Sequence, residues 1–334
     1  MNSFGRLFRI SIYGESHGNG IGIVVDGCPA GLPLSIEDFL YDLSRRQSNK
    51  PGTTPRKESD MPEIISGVFN DHTTGAPINI MFRNTDTRSS DYSQFREIPR
   101  PGHADFVAMQ KFGGFEDYRG GGHFSGRLTL GIVAAGVIAK KLINPIEINS
   151  TIVEIGGNTN IEEAISKALE EGDSVGGIIE CVAKNVPIGL GEPFFDSVES
   201  VISHIVFSIP AIKGIEFGSG FKAAKMKGSE HNDRIISTDG KTFTNNSGGI
   251  TGGITNGNEI VFRVAVKPTS SISKPQKTFN IKTHELDTLI VKGRHDTCIA
   301  LRIPVVLECA TAIALADLML LEQRISRIYH SENE

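Results

Sequence analysis

The chain has 334 residues, 39% of them hydrophobic and 22% charged, with a formal net charge of −5. These proportions describe a globular protein of one large domain or two closely packed halves, and exclude a disordered or fibrous chain. The acidic balance, the absence of tryptophan and an aromatic share of 7% argue against a nucleic-acid surface, which needs spread basic charge and aromatic platforms.

Residues 7–13 alternate like a strand and run into Gly14-Glu15-Ser16-His17-Gly18; residues 21–25 read as a second strand. Ser35 opens a helix, with Asp38 completing a capping-box pattern, Ile36, Phe39, Leu40 and Leu43 as the apolar stripe, and Arg45-Arg46 at the end. Residues 47–58 lack periodicity and carry Lys50, Arg56 and Lys57, the pattern of a mobile basic loop that closes over a ligand. Strands follow at 64–69 and 78–82, then a polar, arginine-bearing stretch to Pro101. A helix is expected from Ser125 to about Leu142, on the spacing of Leu130, Val133, Ala134, Val137 and Ile138.

The second half mixes strands at 152–155, 177–186, 214–218 and 259–267 with helices at 161–170, 198–207 and 304–328. The order points to α/β or α+β architecture with antiparallel sheet. The most apolar run, residues 305–321, is interrupted by Glu308 and Asp317 and reads as a buried helix rather than a membrane span. The first residues lack an apolar signal core, and the four cysteines have no metal-type spacing. They read as free thiols in a reducing, cytoplasmic compartment.

The stretch Arg119-Gly120-Gly121-Gly122-His123-Phe124-Ser125-Gly126-Arg127 concentrates the chemistry. Glycines ahead of a helix let backbone N–H groups and the helix dipole approach an anion, and arginine grips phosphate or carboxylate bidentately. Two readings are open for the glycines alone: a phosphate site, or a flexible turn before an ordinary helix. Three more loops place a titratable or cationic side chain beside glycine: residues 14–18, 100–105 and 293–296. His17 and His103 suit general acid work and Asp296 suits a base, although each histidine has the alternative of bonding its own loop. Lys267-Pro268-Thr269-Ser270-Ser271 combines an ammonium with hydroxyls, as a phosphate holder or a strand-end turn. Arg45, Arg46, Arg100, Arg119, Arg127, Lys267 and Arg294 all lie in or beside such loops on an acidic chain. Brought together, they make a cationic pocket for a small polyanion.

In order along the chain stand Gly14-Glu-Ser-His-Gly, Val25-Asp-Gly-Cys-Pro-Ala-Gly, Ser66-Gly-Val-Phe, Arg83-Asn-Thr-Asp, Arg100-Pro-Gly-His-Ala-Asp, Asp117-Tyr-Arg-Gly-Gly-Gly, Gly189-Leu-Gly-Glu-Pro, Lys267-Pro-Thr-Ser-Ser and Lys292-Gly-Arg-His-Asp. Over nearly its whole length the chain resembles chorismate synthase. The resemblance implies a β-α-β sandwich, an α+β fold with helices packed between antiparallel sheets, assembled as a homotetramer. It implies a lyase that converts 5-enolpyruvylshikimate-3-phosphate to chorismate and phosphate by 1,4-anti elimination, with reduced FMN.

By the same resemblance His17 protonates the leaving phosphate, His103 supplies the proton at flavin N1, and Asp296 relays a proton from flavin N5. Flavin contacts fall on His123, Phe124, Ser125, Pro210, Ala211, Gly252, Lys267, Pro268, Thr269, Ser270, Ser271 and Arg294. Substrate contacts fall on Ser16, Arg45, Arg46, Arg100, Ser125, Arg127 and Arg294. Arg46 and Lys50 are the places for NADPH as an indirect reductant, and without a reductase segment in the sequence the reduced flavin comes from an external flavin reductase. The chain departs from the family pattern where His123-Phe124 replaces Arg-Ser, where Gly126 replaces Ala, where Leu128 replaces Glu, and in the loop after Arg46.

Overall fold

The computed structural model describes residues 1–47, 51–53, 59–85, 89–292 and 295–329. Two antiparallel sheets form its outer layers. The first orders its strands Ser3–Phe4, Arg9–Gly14, Gly20–Asp26, Ile78–Arg83 and Glu63–Ser66. The second orders them Ile212–Phe217, Ile260–Val266, Gly177–Lys184 and Glu147–Ile155. Period-two alternation decides which face turns inward. Ile21, Ile23, Val25, Ile78, Ile80 and Phe82 are buried from the first sheet, and Ile179, Cys181, Ala183, Ile260, Phe262 and Val264 from the second.

Two helices fill the space between, the central helix Thr129–Leu142 and the C-terminal helix Ile303–Leu321. The central helix packs on the first sheet, the C-terminal helix on the second, and the two on each other. Both are apolar nearly all round, as a helix covered on every side must be. Gly136 makes their close contact: a Cβ there would lie 2.1 Å from Cβ of Cys309. The segment Ile299–Leu321 is long and apolar enough to cross a membrane, but 83% of its apolar window is buried inside the protein, which makes it a core helix.

The two acidic residues in that apolar run have assigned partners. Glu308, 2% exposed, binds Arg45 bidentately at 2.7 and 2.7 Å, accepts from the Ser150 backbone N–H at 3.0 Å and lies 3.3 Å from Lys140 Nζ. Asp42 completes this buried cluster, 2.9 Å from Arg45 Nη1 and 2.7 Å from Lys140 Nζ. Asp317, 3% exposed, accepts the backbone N–H groups of Arg6, Leu7 and Phe8 at 2.7–3.0 Å. Burying a carboxylate is tolerable only with such compensation.

Several expected boundaries move. The strand expected over 64–69 is broken at Gly67, which adopts φ +84 and where a Cβ would meet Ile78 Cα at 2.6 Å; Glu63–Ser66 stays in the first sheet and Val68–Phe69 pairs with His72–Thr73. The strand before residue 155 begins at Glu147, and the last helix ends at Leu321 rather than 328. On the helix Glu37–Arg46, Phe39 and Leu43 are buried, but Ile36 and Leu40 are exposed, and Asp42 and Arg46 take inward positions instead. The Ser35 backbone N–H does donate to Asp38 at 2.8 Å.

All four cysteines are free and buried. Burial pushes the thiols of Cys28, Cys181 and Cys309 up to about 12 and raises that of Cys298. The thiolate is the reactive form. An aromatic disulfide reagent at neutral pH is therefore expected to count no thiols in the folded protein and four in denaturant.

Candidate active site

One end of the sandwich encloses a cavity of about 1070 Å³. The N-terminal residues Met1–Phe4, the loop 123–129, the segment 207–211, the turn 267–271 and the loop from His295 to Arg302 all contribute to its wall. Among the described residues three arginines reach it. Arg46, 4% exposed, donates from Nε to Thr129 Oγ1 at 2.9 Å and from Nη2 to the Gly126 carbonyl at 2.9 Å. Arg127, 7% exposed, donates to Asn84 Oδ1 at 2.6 Å, to Asp60 Oδ1 at 2.8 Å and to the Arg83 carbonyl at 3.1 Å. Arg302 comes from the short 3-10 turn Ile299–Arg302, with Nε 3.8 Å from Asp296 Oδ1.

Burial, with Arg302 and Arg127 pushing the same way against the pull of Asp60, takes the Arg46 guanidinium down to about 9, so it stays charged at neutral pH. Crowded cations that remain charged create a site where an anion is worth more than in water.

The turn 267–271 closes another side. Lys267 Nζ donates to the Gly102 carbonyl at 2.7 Å and to Ser270 Oγ at 2.8 Å, and Ser270 Oγ donates to the same carbonyl at 2.7 Å. Burial and the neighbouring Lys213 pull the Lys267 ammonium down. His103 stands beside this turn. Its Nδ1 lies 2.6 Å from Asp105 Oδ1, which assigns the proton to Nδ1 and leaves Nε2 as the nitrogen available to a ligand. Arg100 clamps the same carboxylate with Nε and Nη2, both at 2.8 Å.

Burial alone would raise the Asp105 carboxyl; the hydrogen bonds from Arg100 and His103 outweigh it and hold the group well below the usual carboxylate range. A folded-state value below the unfolded one of about 3.9 means this stabilisation is complete above that pH and is lost only as pH falls below it. Wild type is therefore expected to lose unfolding free energy more steeply than Asp105→Asn below about pH 4. Denaturant midpoints across the acid range read this out, and parallel curves would refute it.

The glycine run does a different job from a phosphate loop. Gly120, Gly121 and Gly122 have φ of +60, +81 and +52. A Cβ on Gly120 would sit 2.1 Å from His17 Nδ1, and one on Gly122 would sit 1.9 Å from the Asp117 carbonyl oxygen. The run lets His17 and His103 pack against bare backbone. Gly120 lines the cavity; His17, 7% exposed, lies directly behind it with Ser16 and stacks edge-on with Tyr92 at 5.0 Å. Ser125 caps only the 3-10 turn Gly126–Leu128, through the Arg127 N–H at 3.3 Å; the helix proper begins at Thr129.

Gly120→Ala is expected to displace His17 and cut kcat/KM by about 100-fold. Gly157→Ala is the control: it shares a positive φ, +78, but its Cβ would meet nothing within 4 Å. Equal losses in the two variants would count against a role for His17.

Of the residues the sequence nominated, the cavity wall collects Arg46, His103, His123, Phe124, Ser125, Arg127, Pro210, Ala211, Lys267, Pro268, Thr269, Ser270, Ser271 and Asp296. Five residues are placed differently. Arg45 is turned away into the Glu308 cluster, one helical step of rotation from Arg46. Gly252 sits at the tip of the hairpin Ile250–Thr251/Ile254–Thr255, outside the wall. Arg100 lies behind His103, held by Asp105 and by Ser271 Oγ at 3.0 Å. Ser16 and His17 stand behind Gly120 rather than in the wall. Lys50 and Arg294 lie outside the described residues.

His123 Nδ1 donates to the Gly14 carbonyl at 2.8 Å, and Phe124, 41% exposed, packs near Phe112 at 6.3 Å between ring centroids. Asp60, Arg302 and His295 are wall residues that sequence reasoning did not nominate. His295 belongs to the Lys292-Gly-Arg-His-Asp motif, whereas nothing in the sequence marks Asp60, and Arg302 lies just ahead of a helix.

The chorismate synthase family profile matches residues 8–320. The chain belongs to the chorismate synthase family. A chorismate synthase of Chitinophaga pinensis is 66% identical over 330 residues, covering 98% of this chain and 99% of that one. One from Dehalococcoides mccartyi is 46% identical, with 98% and 99% covered, and one from Korarchaeum cryptofilum is 47% identical, with 94% and 96% covered. A crystal structure of chorismate synthase superposes with a TM-score of 0.71 at 30% identity, covering 95% of this chain and 93% of the other. The sheet–helix–helix–sheet sandwich is thus a chorismate synthase fold, and the chain is an enzyme of this family, a lyase of the shikimate pathway.

Proposed function

We propose that this chorismate synthase family enzyme converts 5-enolpyruvylshikimate-3-phosphate to chorismate and phosphate by 1,4-anti elimination, with reduced FMN. The observation that carries the reading is the convergence of Arg46, Arg127 and Arg302 on a cavity that also presents Asp296 and His103. The substrate brings two carboxylates and a phosphate, which is the charge such a pocket lacks.

The fit to two ligands has independent support. A volume of about 1070 Å³ reaches the top of the usual range for one small-molecule site, roughly 300–1,000 Å³. Among the described residues eight buried side-chain polar atoms lack a partner, and three belong to this wall: Thr269 Oγ1, His295 Nε2 and Arg302 Nε. Buried polar groups are normally paired, so such a concentration marks places that a ligand completes.

In this reading Arg46, Arg127 and Arg302 hold the anionic groups and favour phosphate as it departs. His17, behind the bare backbone of Gly120, gives a proton to the leaving phosphate oxygen. Asp296 stands at the flavin edge as the relay and final acceptor of the proton lost from the ring carbon, and His103, its tautomer fixed by Asp105, holds a proton at the same edge. Lys267, Thr269, Ser270 and Ser271 would hold the cofactor, with Pro210 and Ala211 opposite. The chemistry that reduced FMN supplies when bound is transient electron donation to the breaking C–O bond, returned as the C–H bond breaks.

The test is anaerobic: protein, dithionite-reduced FMN and 5-enolpyruvylshikimate-3-phosphate, following chorismate absorbance and released phosphate. Equal yields, absent with oxidised FMN, are expected. Flavin binding without product would overturn the assignment of substrate.

We also infer a cytoplasmic homotetramer that receives reduced flavin from an external reductase, with NADPH acting only indirectly. Uncovered phenylalanines at 194, 195, 221 and 243, each at least 70% exposed, support burial between copies.

A further inference from the structure

His295 follows the cofactor-side motif but has no part in the steps above. The ring lines the cavity. Its hydrogen bonds to the backbone at Val291 and Lys292 must be made through Nδ1, because Nε2 is buried and has no partner. Backbone carbonyls only accept, so Nδ1 carries the proton and Nε2 presents a bare lone pair. Burial, and then the nearby charge of Arg100, hold the imidazole below its ordinary value, against a smaller opposing pull from Asp296. The ring therefore stays neutral at physiological pH. Beside the arginine donors of the wall, His295 is an acceptor that carries no charge and attracts none of those arginines as an ion pair.

We propose that His295, through Nε2, is the neutral hydrogen-bond acceptor that positions an uncharged O–H or N–H donor of the ligand. This rests on the flavin-and-substrate reading of the cavity. Two ligands carry such donors: the flavin, on its ring N–H or ribityl hydroxyls, and the substrate, on its ring hydroxyl. A carboxylate or phosphate has no proton to give at neutral pH, so the arginines and His295 divide the ligand's polar groups between them.

The test uses the full-length protein with two substitutions. His295→Phe keeps a ring without an acceptor, and His295→Gln restores an acceptor oxygen near the Nε2 position while lacking the imidazole anchor. Oxidised FMN is titrated by flavin fluorescence, and 5-enolpyruvylshikimate-3-phosphate is titrated calorimetrically into the FMN-loaded protein. His295→Phe is expected to weaken one of the two ligands by about three- to tenfold, the range of one hydrogen bond, and His295→Gln to recover most of it. Which ligand weakens identifies the donor. Unchanged affinity for both in His295→Phe, or equal loss in Phe and Gln, would overturn the proposal, the second outcome meaning that only the loop anchor matters.

Should His295→Phe not fold, isotope-labelled histidine in wild type gives the same answer. The Nε2 resonance should be that of an unprotonated, unbonded nitrogen in the free protein and should shift when one ligand is added; no shift with either overturns the proposal. A wild-type chain that binds neither ligand would overturn the parent reading and this one together, whereas wild-type binding with indifferent variants removes only the role of His295.

Discussion

Replacing Asp296 by Asn is expected to lower turnover by about 10²–10⁴-fold while leaving the affinity for oxidised FMN within a few fold. The side chain is 15% exposed in the cavity wall, and Arg302 Nε lies 3.8 Å away. Asn has nearly the same shape and retains an acceptor oxygen, so packing and binding survive. It has no negative charge and no useful basicity, so the proton of the ring carbon has nowhere to go. Single-turnover kinetics with pre-reduced flavin isolate the elimination from flavin delivery. Turnover within a few fold of wild type would remove Asp296 from the mechanism.

The second large effect falls on stability. Glu308→Ala is expected to cost about 3–5 kcal/mol, the usual penalty for removing one partner of a buried ion pair. The loss strands Arg45 and Lys140 beside Asp42 in the layer between helices, and leaves the Ser150 N–H without its acceptor. Denaturant unfolding reads the cost directly. The cluster lies away from the cavity wall, so kcat at a temperature where the variant is folded should be close to wild type. A variant that is fully stable but inactive would return Arg45 to the active site.

Arg45 and Arg46 show where sequence reasoning stopped. Both end a helix as adjacent cations, and nothing local distinguishes them. Their separation depends on the rotation of one helical step and on Glu308, 263 residues away. The same limit applies to the stripe of the helix Glu37–Arg46, where the spacing admitted Ile36 and Leu40 but packing against the central and C-terminal helices buries Phe39 and Leu43. The motif loops were legible because glycine beside histidine or arginine is a local signature, and most of their residues do meet at one cavity. Asp60 was not legible. It is a lone acid beside an irregular loop, and only tertiary contact with Arg127 and Arg46 gives it meaning. Glu308 and Asp317 carried a signal that could have been used further: a carboxylate inside an apolar helix has to be paired.

The grip of Asp317 on residues 6–8 has a consequence for how the molecule is made. Those groups are 309–311 positions apart in the chain, and the residues just before them, Met1–Phe4, form part of the cavity wall. During synthesis, at about 5–20 residues per second, the first strand of the nascent chain waits most of a translation time for the carboxylate that fixes its turn. The ligand chamber is therefore among the last parts to close, whatever order the sheets condense in. A ribosome-stalled chain ending at Arg302, before the final helix, should lack flavin binding even with Arg46, Arg127 and Arg302 all translated.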